Sequence, residues 1–132
     1  MKHIVSAVLF SLVTMPAFAD GDASKGEKAF NKCKSCHTIA TDAGDVIVKG
    51  GKTGPNLYGV IGRTVGSGDF KYSSALIAMG EKGMVWDKES VIAFIADPKS
   101  YSEEHGGGRS KMSFKLKKGG EDIVAYLESV AE

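Results

Sequence analysis

The sequence predicts a small all-α domain with long loops, and three observations carry that prediction. Capped, amphipathic stretches recur near residues 22–32, 73–80, 87–97 and 119–130. Glycine-rich segments without periodicity separate them, over residues 38–71 and 101–118. Between the first helix and the first loop stands Cys33-Lys34-Ser35-Cys36-His37, which uses both cysteines of the chain. Such long structureless stretches are unusual in a small domain unless they wrap a large rigid ligand that supplies the packing surface. The prediction is therefore four or so helices whose loops enclose one bound group.

Asp22 caps a first helix running to about Lys32, with Ala23, Gly26, Phe30 and Cys33 on one face. Gly26 weakens that helix by roughly 0.5–1 kcal/mol relative to alanine, which close approach of another helix would offset. Residues 38–71 carry glycine at 44, 50, 51, 54, 59, 62, 66 and 68 and read as loop. A short helix is expected around Ser73–Gly80. A third starts after Asp87, carries Val91, Ile92 and Ile95, and stops before Pro98. Residues 101–118 read as loop again, with Gly106-Gly107-Gly108 inside it. The last helix follows Gly119-Gly120, places Glu121 and Asp122 where the dipole favours negative charge, and buries Ile123, Leu127 and Val130. No internal repeat or low-complexity tract stands out.

Residues 1–19 read as an export signal. Lys2 supplies the positive start, Ile4 to Val13 the apolar stretch, and Ala17-Phe18-Ala19 a small-x-small cleavage site. Cleavage would leave residues 20–132 as a single domain. The apolar run is shorter than the roughly 20 residues a spanning helix needs, so no membrane anchor is expected. Without Lys2 the 17 basic residues fall level with the 16 acidic ones, and charge makes no case for nucleic acid.

Cys-x-x-Cys-His reads as a c-type haem attachment site. Two thiols on one helical turn can add to the two vinyl groups on one haem edge, and the next residue's ring can reach the iron. A dithiol redox motif would need a βαβ context, which is not visible. A structural zinc site needs four ligands; Cys36 and His37 are adjacent, and the fourth would be the distant His105. A disulfide across so short a loop would stabilise little. Export fits the haem reading, because the periplasm is oxidising and the Cys33 and Cys36 thioethers would form outside the cytoplasm. Gly51-Lys52-Thr53 resembles the end of a phosphate-binding loop, but Val46 stands where that motif requires glycine. The glycines from 59 to 68 lack the strand and helix of a dinucleotide site.

Further segments follow the motif in order: Thr53-Gly54-Pro55-Asn56-Leu57-Tyr58-Gly59, Gly62-Arg63, Phe70-Lys71-Tyr72, Trp86, Pro98-Lys99-Ser100-Tyr101, Lys111-Met112-Ser113-Phe114 and Ala125-Tyr126-Leu127. With Gly26 and Phe30 they make residues 20–132 resemble a class I cytochrome c, nearest the bacterial cytochrome c2 branch. The resemblance implies the small cytochrome c fold and one covalently bound haem c per chain. It makes His37 and Met112 the axial ligands of the iron. Thioether sulfur is soft and favours the ferrous state, and Met/His ligation is the pairing cytochromes c use. His105 is the rival ligand, in a loop position without a family counterpart. In the family, residues matching Pro55, Arg63, Tyr72 and Trp86 orient the axial histidine or hold the haem propionates. Two loops, His37–Pro55 and Tyr101–Met112, are longer than in mitochondrial relatives. Phe94 and Leu76 replace a tyrosine and an asparagine there, which puts a polar network on the methionine side in doubt.

With both axial positions filled, the iron has no open site for substrate, and one-electron transfer is the expected function. The family analogy implies a soluble periplasmic carrier, a monomer and not an enzyme. It would run between a cytochrome bc-type complex and a photosynthetic reaction centre or terminal oxidase. The alternative is a haem peroxidase or gas sensor in which Met112 does not coordinate. Lys32 and Lys34 flank the attachment motif, and Lys111, Lys115, Lys117 and Lys118 surround Met112. These six lysines are expected to form a positive ring that docks on acidic partners.

Overall fold

A computed structural model describes Ser11 and residues 21–132 of the chain. The expected export signal and its junction with Asp20 lie outside the described residues, Ser11 excepted. Asp22 caps helix α1 (Ala23–Ala29), its carboxylate accepting the Lys25 backbone N–H at 3.1 Å. The helix then tightens into a 3-10 turn over Phe30–Lys32, so the expected run to Lys32 is met with a change of pitch. Beyond it the His37 N–H donates to the Cys33 carbonyl at 2.9 Å, which winds the attachment motif into one turn.

Helix α1 packs on the last helix, α5 (Gly120–Val130). Their approach is set at Gly26, where a Cβ would lie 1.9 Å from the Asp122 carbonyl oxygen and 2.7 Å from Tyr126 Cβ. The Asp22 N–H also donates to the Asp122 carboxylate at 2.8 Å, tying the start of α1 to α5. Phe30 is fully buried with its ring centroid 5.7 Å from that of Tyr126. Burying a side chain of that size contributes about 1.5–3 kcal/mol. On α5 the buried residues are Ile123, Val124, Tyr126 and Leu127. Val130, expected to be buried with them, is half-buried, because the last turn runs out beside exposed Ala131 and Glu132.

Two stretches read as loop have regular structure. Within 38–71, β1 (Ile39–Ala40) pairs antiparallel with β2 (Val46–Val48). The ribbon is too short to leave an alternating pattern, and both Val46 and Ile47 are exposed. Within 101–118, helix α4 (Pro98–Gly106) takes up the first six residues. Pro98 ends α3 (Lys88–Ala96) as expected, yet it also opens the next helix. Asp97 accepts the Ser100 N–H at 3.1 Å, and proline's fixed φ and missing N–H suit the first helical position. The loop proper begins at Gly107, whose φ of 66° is left-handed. Five α-helices thus stand among the described residues, where four or so were expected.

Helix α2 (Ser74–Glu81) is capped by the Ser73 hydroxyl, and α3 by a reciprocal box between Asp87 and Ser90. α2 lies on α4, while α3 contacts both α4 and α5. Trp86, Phe94 and Tyr101 form an aromatic wall, with centroids 5.0 Å apart for the first pair and 5.8 Å for the second. Between this wall, α5 and the loops, the chain leaves a large cavity.

Candidate functional site

The cavity measures about 410 Å³, within the roughly 300–1,000 Å³ usual for cofactor and small-molecule sites. Leu57, Val60, Val91, Phe94, Ile123 and Leu127 give it an apolar wall. Cys33, Cys36, His37, Pro55, Arg63, Tyr72, Trp86 and Met112 all border the same space. Cys33 and Met112, 79 positions apart in sequence, are therefore brought to one cavity.

Cys33 is half-buried and Cys36 exposed, and the two are not bridged. Their thiols stand where thioether sulfurs would be after attachment. Burial, and then the neighbouring Cys36, pushes the Cys33 thiol above its ordinary pKa. A thioether has no proton to lose and would not feel that penalty.

His37 is buried, and burial pulls its pKa below the usual imidazole value, with the Pro55 bond acting in the opposite sense. A carbonyl can only accept, so the 2.7 Å contact with Pro55 O puts the proton on Nδ1. The Nε2 lone pair is left for a metal, and the ring is held neutral in the form that ligates. Space for the ring depends on Gly54: a Cβ there would lie 2.4 Å from His37 Cε1 and 2.8 Å from Nδ1. Gly54 belongs to a segment already singled out in the sequence, but this steric role was not visible there.

Met112 reaches the cavity from the irregular strap of residues 107–119. The Ser110 hydroxyl holds its backbone from both sides, donating to the Met112 carbonyl at 2.8 Å and accepting its N–H at 3.0 Å. His105 does not line the cavity. Its ring stacks on Tyr101 at 3.9 Å, and its Nδ1 bonds the Tyr101 carbonyl at 3.0 Å. Phe94 and Leu76 both border the space and present carbon to it.

Arg63 carries a buried Nε without a hydrogen-bond partner, and its terminal nitrogens reach the Tyr58 and Asn56 carbonyls only at 3.5 and 3.4 Å. An under-satisfied guanidinium at the wall calls for an anion. Tyr72 accepts the Gly68 N–H at 3.1 Å and keeps its own proton to donate. An apolar slot with two thiols, a neutral imidazole, a thioether and an unsatisfied cation matches the edges, faces and carboxylates of haem.

The lysines divide. Lys32, Lys34, Lys117 and Lys118 are exposed. Lys111 is exposed too, but its ammonium donates to the Lys71 carbonyl at 2.6 Å. The Lys115 ammonium lies 3.5 Å from the Asp97 carboxylate. The Ser100 N–H in first place, and Lys115 less strongly, holds that carboxyl below its ordinary pKa.

No family model matches the chain. Among curated proteins, cytochrome c2 from Rhodobacter capsulatus is 48% identical over 134 residues, covering 98% of this chain and 97% of that protein. The chain belongs to the cytochrome c2 family. Cytochrome c-551 from Roseobacter denitrificans is 53% identical over 131 residues, covering 97% of this chain and 93% of its own length. The X-ray structure of ferric cytochrome c-550 from Paracoccus versutus matches with a TM-score of 0.81 and 47% identity, over 86% of this chain and 100% of that one. The fold is therefore the small cytochrome c fold. This cytochrome is an electron carrier and not an enzyme, and its cofactor is covalently bound haem c.

Proposed function

We propose that this cytochrome is a soluble, monomeric periplasmic shuttle. It takes single electrons from a cytochrome bc-type complex and delivers them to a photosynthetic reaction centre or a terminal oxidase. Cys33 and Cys36 anchor the haem, His37 and Met112 ligate its iron, and Pro55, Arg63, Tyr72 and Trp86 line and orient its pocket. One observation supports this most: His37, its Nδ1 held at 2.7 Å by the Pro55 carbonyl, borders the same cavity as the Met112 thioether.

Bound there, the haem supplies one-electron exchange between ferrous and ferric iron. The chain's own residues make that exchange easy and clean. The Pro55 carbonyl fixes the His37 tautomer and ring plane. Ser110 shapes the turn that presents Met112 to the cavity, where its thioether would hold the iron. The apolar wall gives the cofactor a low-polarity surrounding, and with His37 and Met112 both holding the iron no position would be left for a substrate. Arg63 offsets acid charge at the cavity edge.

Residues 1–19 carry the periplasmic reading. Among the described residues no helix is long and apolar enough to cross a membrane. Lys32, Lys34, Lys117 and Lys118 supply exposed positive charge for an acidic partner surface, which raises encounter rates by about 10–10³-fold. Exposed charges are screened beyond about 8–10 Å at physiological salt. Second-order electron-transfer rates with the isolated acceptor complex should therefore fall as salt rises, and Lys34→Glu with Lys118→Glu should flatten that dependence without moving the potential. A salt-insensitive rate for the unaltered protein would contradict electrostatic docking.

A further inference from the structure

We propose that Asn56 is a positioning residue for the histidine side of the iron, its side-chain amide clamping the Pro55–Asn56 peptide to strand β1 so that the Pro55 carbonyl stays aimed at His37. The inference rests on the reading of His37 as an axial ligand.

The carbonyl that meets His37 Nδ1 at 2.7 Å belongs to the peptide unit joining Pro55 to Asn56. A peptide unit is planar, so that oxygen can point only where the two flanking residues let the whole plane lie. Proline contributes no N–H with which to anchor its own side. The neighbouring ties are made by main chain alone. The Gly54 N–H donates to the Cys36 carbonyl at 2.8 Å, and the Leu57 N–H to the Thr38 carbonyl at 3.1 Å. Such bonds place the segment but depend on no particular side chain. Asn56 adds a tie that does.

Asn56 Nδ2 donates to the Ala40 carbonyl at 2.8 Å, while Oδ1 accepts the Ala40 N–H and the Tyr58 N–H, each at 3.1 Å. This set fixes the orientation of the amide, because a flipped group would turn its NH2 towards two donors and its oxygen towards an acceptor. Ala40 pairs with Val46 of β2 on one side. On the other, both its main-chain groups go to Asn56, whose amide stands where a third strand would. Strand β1 follows His37 closely in sequence, so the ligand and the carbonyl that orients it are anchored to the same short strand. Asn56 does not line the cavity, and its influence reaches the iron through Pro55 and His37. A metal-bound histidine takes its ring plane and basicity from the group on its other nitrogen, which tunes affinity and potential.

Proton NMR of the ferrous holoprotein, with redox titration, tests the clamp, since exchange of the His37 Nδ1 proton reports each opening of its bond to Pro55. Asn56→Ala should speed that exchange about tenfold and shift the potential upward, because a less strongly hydrogen-bonded histidine is a weaker donor to ferric iron. Asn56→Asp keeps both accepted bonds but sets an oxygen against the Ala40 carbonyl, and should fall between. It carries the same comparison if the alanine variant fails to hold haem. Thr41→Ala frees the Asp45 N–H in the turn of the same ribbon and should change neither readout. Unaltered exchange and potential in Asn56→Ala, with the His37 ring protons still shifted upfield by the haem, would overturn the clamp and leave the ligand assignment standing. Equal acceleration in Thr41→Ala would also overturn it, by reducing the effect to a loosened ribbon. His37 ring protons without that upfield shift in the unaltered protein would remove the ligand assignment and the clamp together.

Discussion

Replacing Met112 with alanine will abolish the far-red charge-transfer band of the ferric protein and lower its potential by on the order of a few tenths of a volt. Thioether sulfur is soft and weakly basic and stabilises the ferrous state, so its loss favours the ferric one. The vacated position should also admit peroxide and small ligands. Ser110 keeps the backbone at residue 112 in place through bonds to the main chain alone, so the variant should fold and report on the ligand. His105→Ala should leave band, potential and peroxide reactivity nearly unchanged, because that ring is stacked on Tyr101 and does not line the cavity. Visible spectroscopy and redox titration of the two variants decide between them. A band that survives Met112→Ala and vanishes in His105→Ala would make His105 the ligand.

Gly26→Val should lower stability by about 3 kcal/mol, or the melting temperature by about 10–20 °C for a domain of this size. The new Cβ would meet a backbone carbonyl on α5 at 1.9 Å, and a carbonyl held inside a helix cannot rotate away as a side chain can. Relief requires α1 to separate from α5. That would pull Phe30 off Tyr126 and loosen the turn leading into Cys33. Valine's gain in helix propensity over glycine is under 1 kcal/mol and does not compensate. Thermal unfolding of the holoprotein measures the effect, and an unchanged midpoint would contradict the packing at this crossing.

What could be read from the sequence was what is local in sequence. The attachment motif is five consecutive residues, and Asp22, Ser73 and Asp87 each cap a helix within three positions of themselves. Helix α4 is not legible from Pro98 as a stop alone. The Asp97-Pro98 pair, with Ser100 to be capped, carried a start signal as well. The β1–β2 ribbon left none, since it buries Ile39 and exposes Val46 and Ile47, so no alternation forms. The cavity wall was equally hidden: Val60, Val91 and Leu127 look like ordinary core residues, and only the fold shows them facing a common space. The Lys111 bond to Lys71 spans 40 residues and involves a backbone acceptor, which no side-chain pattern announces.

Intact-mass spectrometry under denaturing conditions, on protein matured in a periplasm, is the most direct measurement. Cys33 and Cys36 lie on one turn at the cavity wall, with His37 presenting its free nitrogen beside them. The expected mass is that of residues 20–132 with one haem, unchanged by acid-acetone extraction, and the haem should map to the peptide holding Cys33 and Cys36. Haem released by extraction, or a peptide with both thiols free or joined as a disulfide, would contradict covalent attachment and the electron carrier built on it.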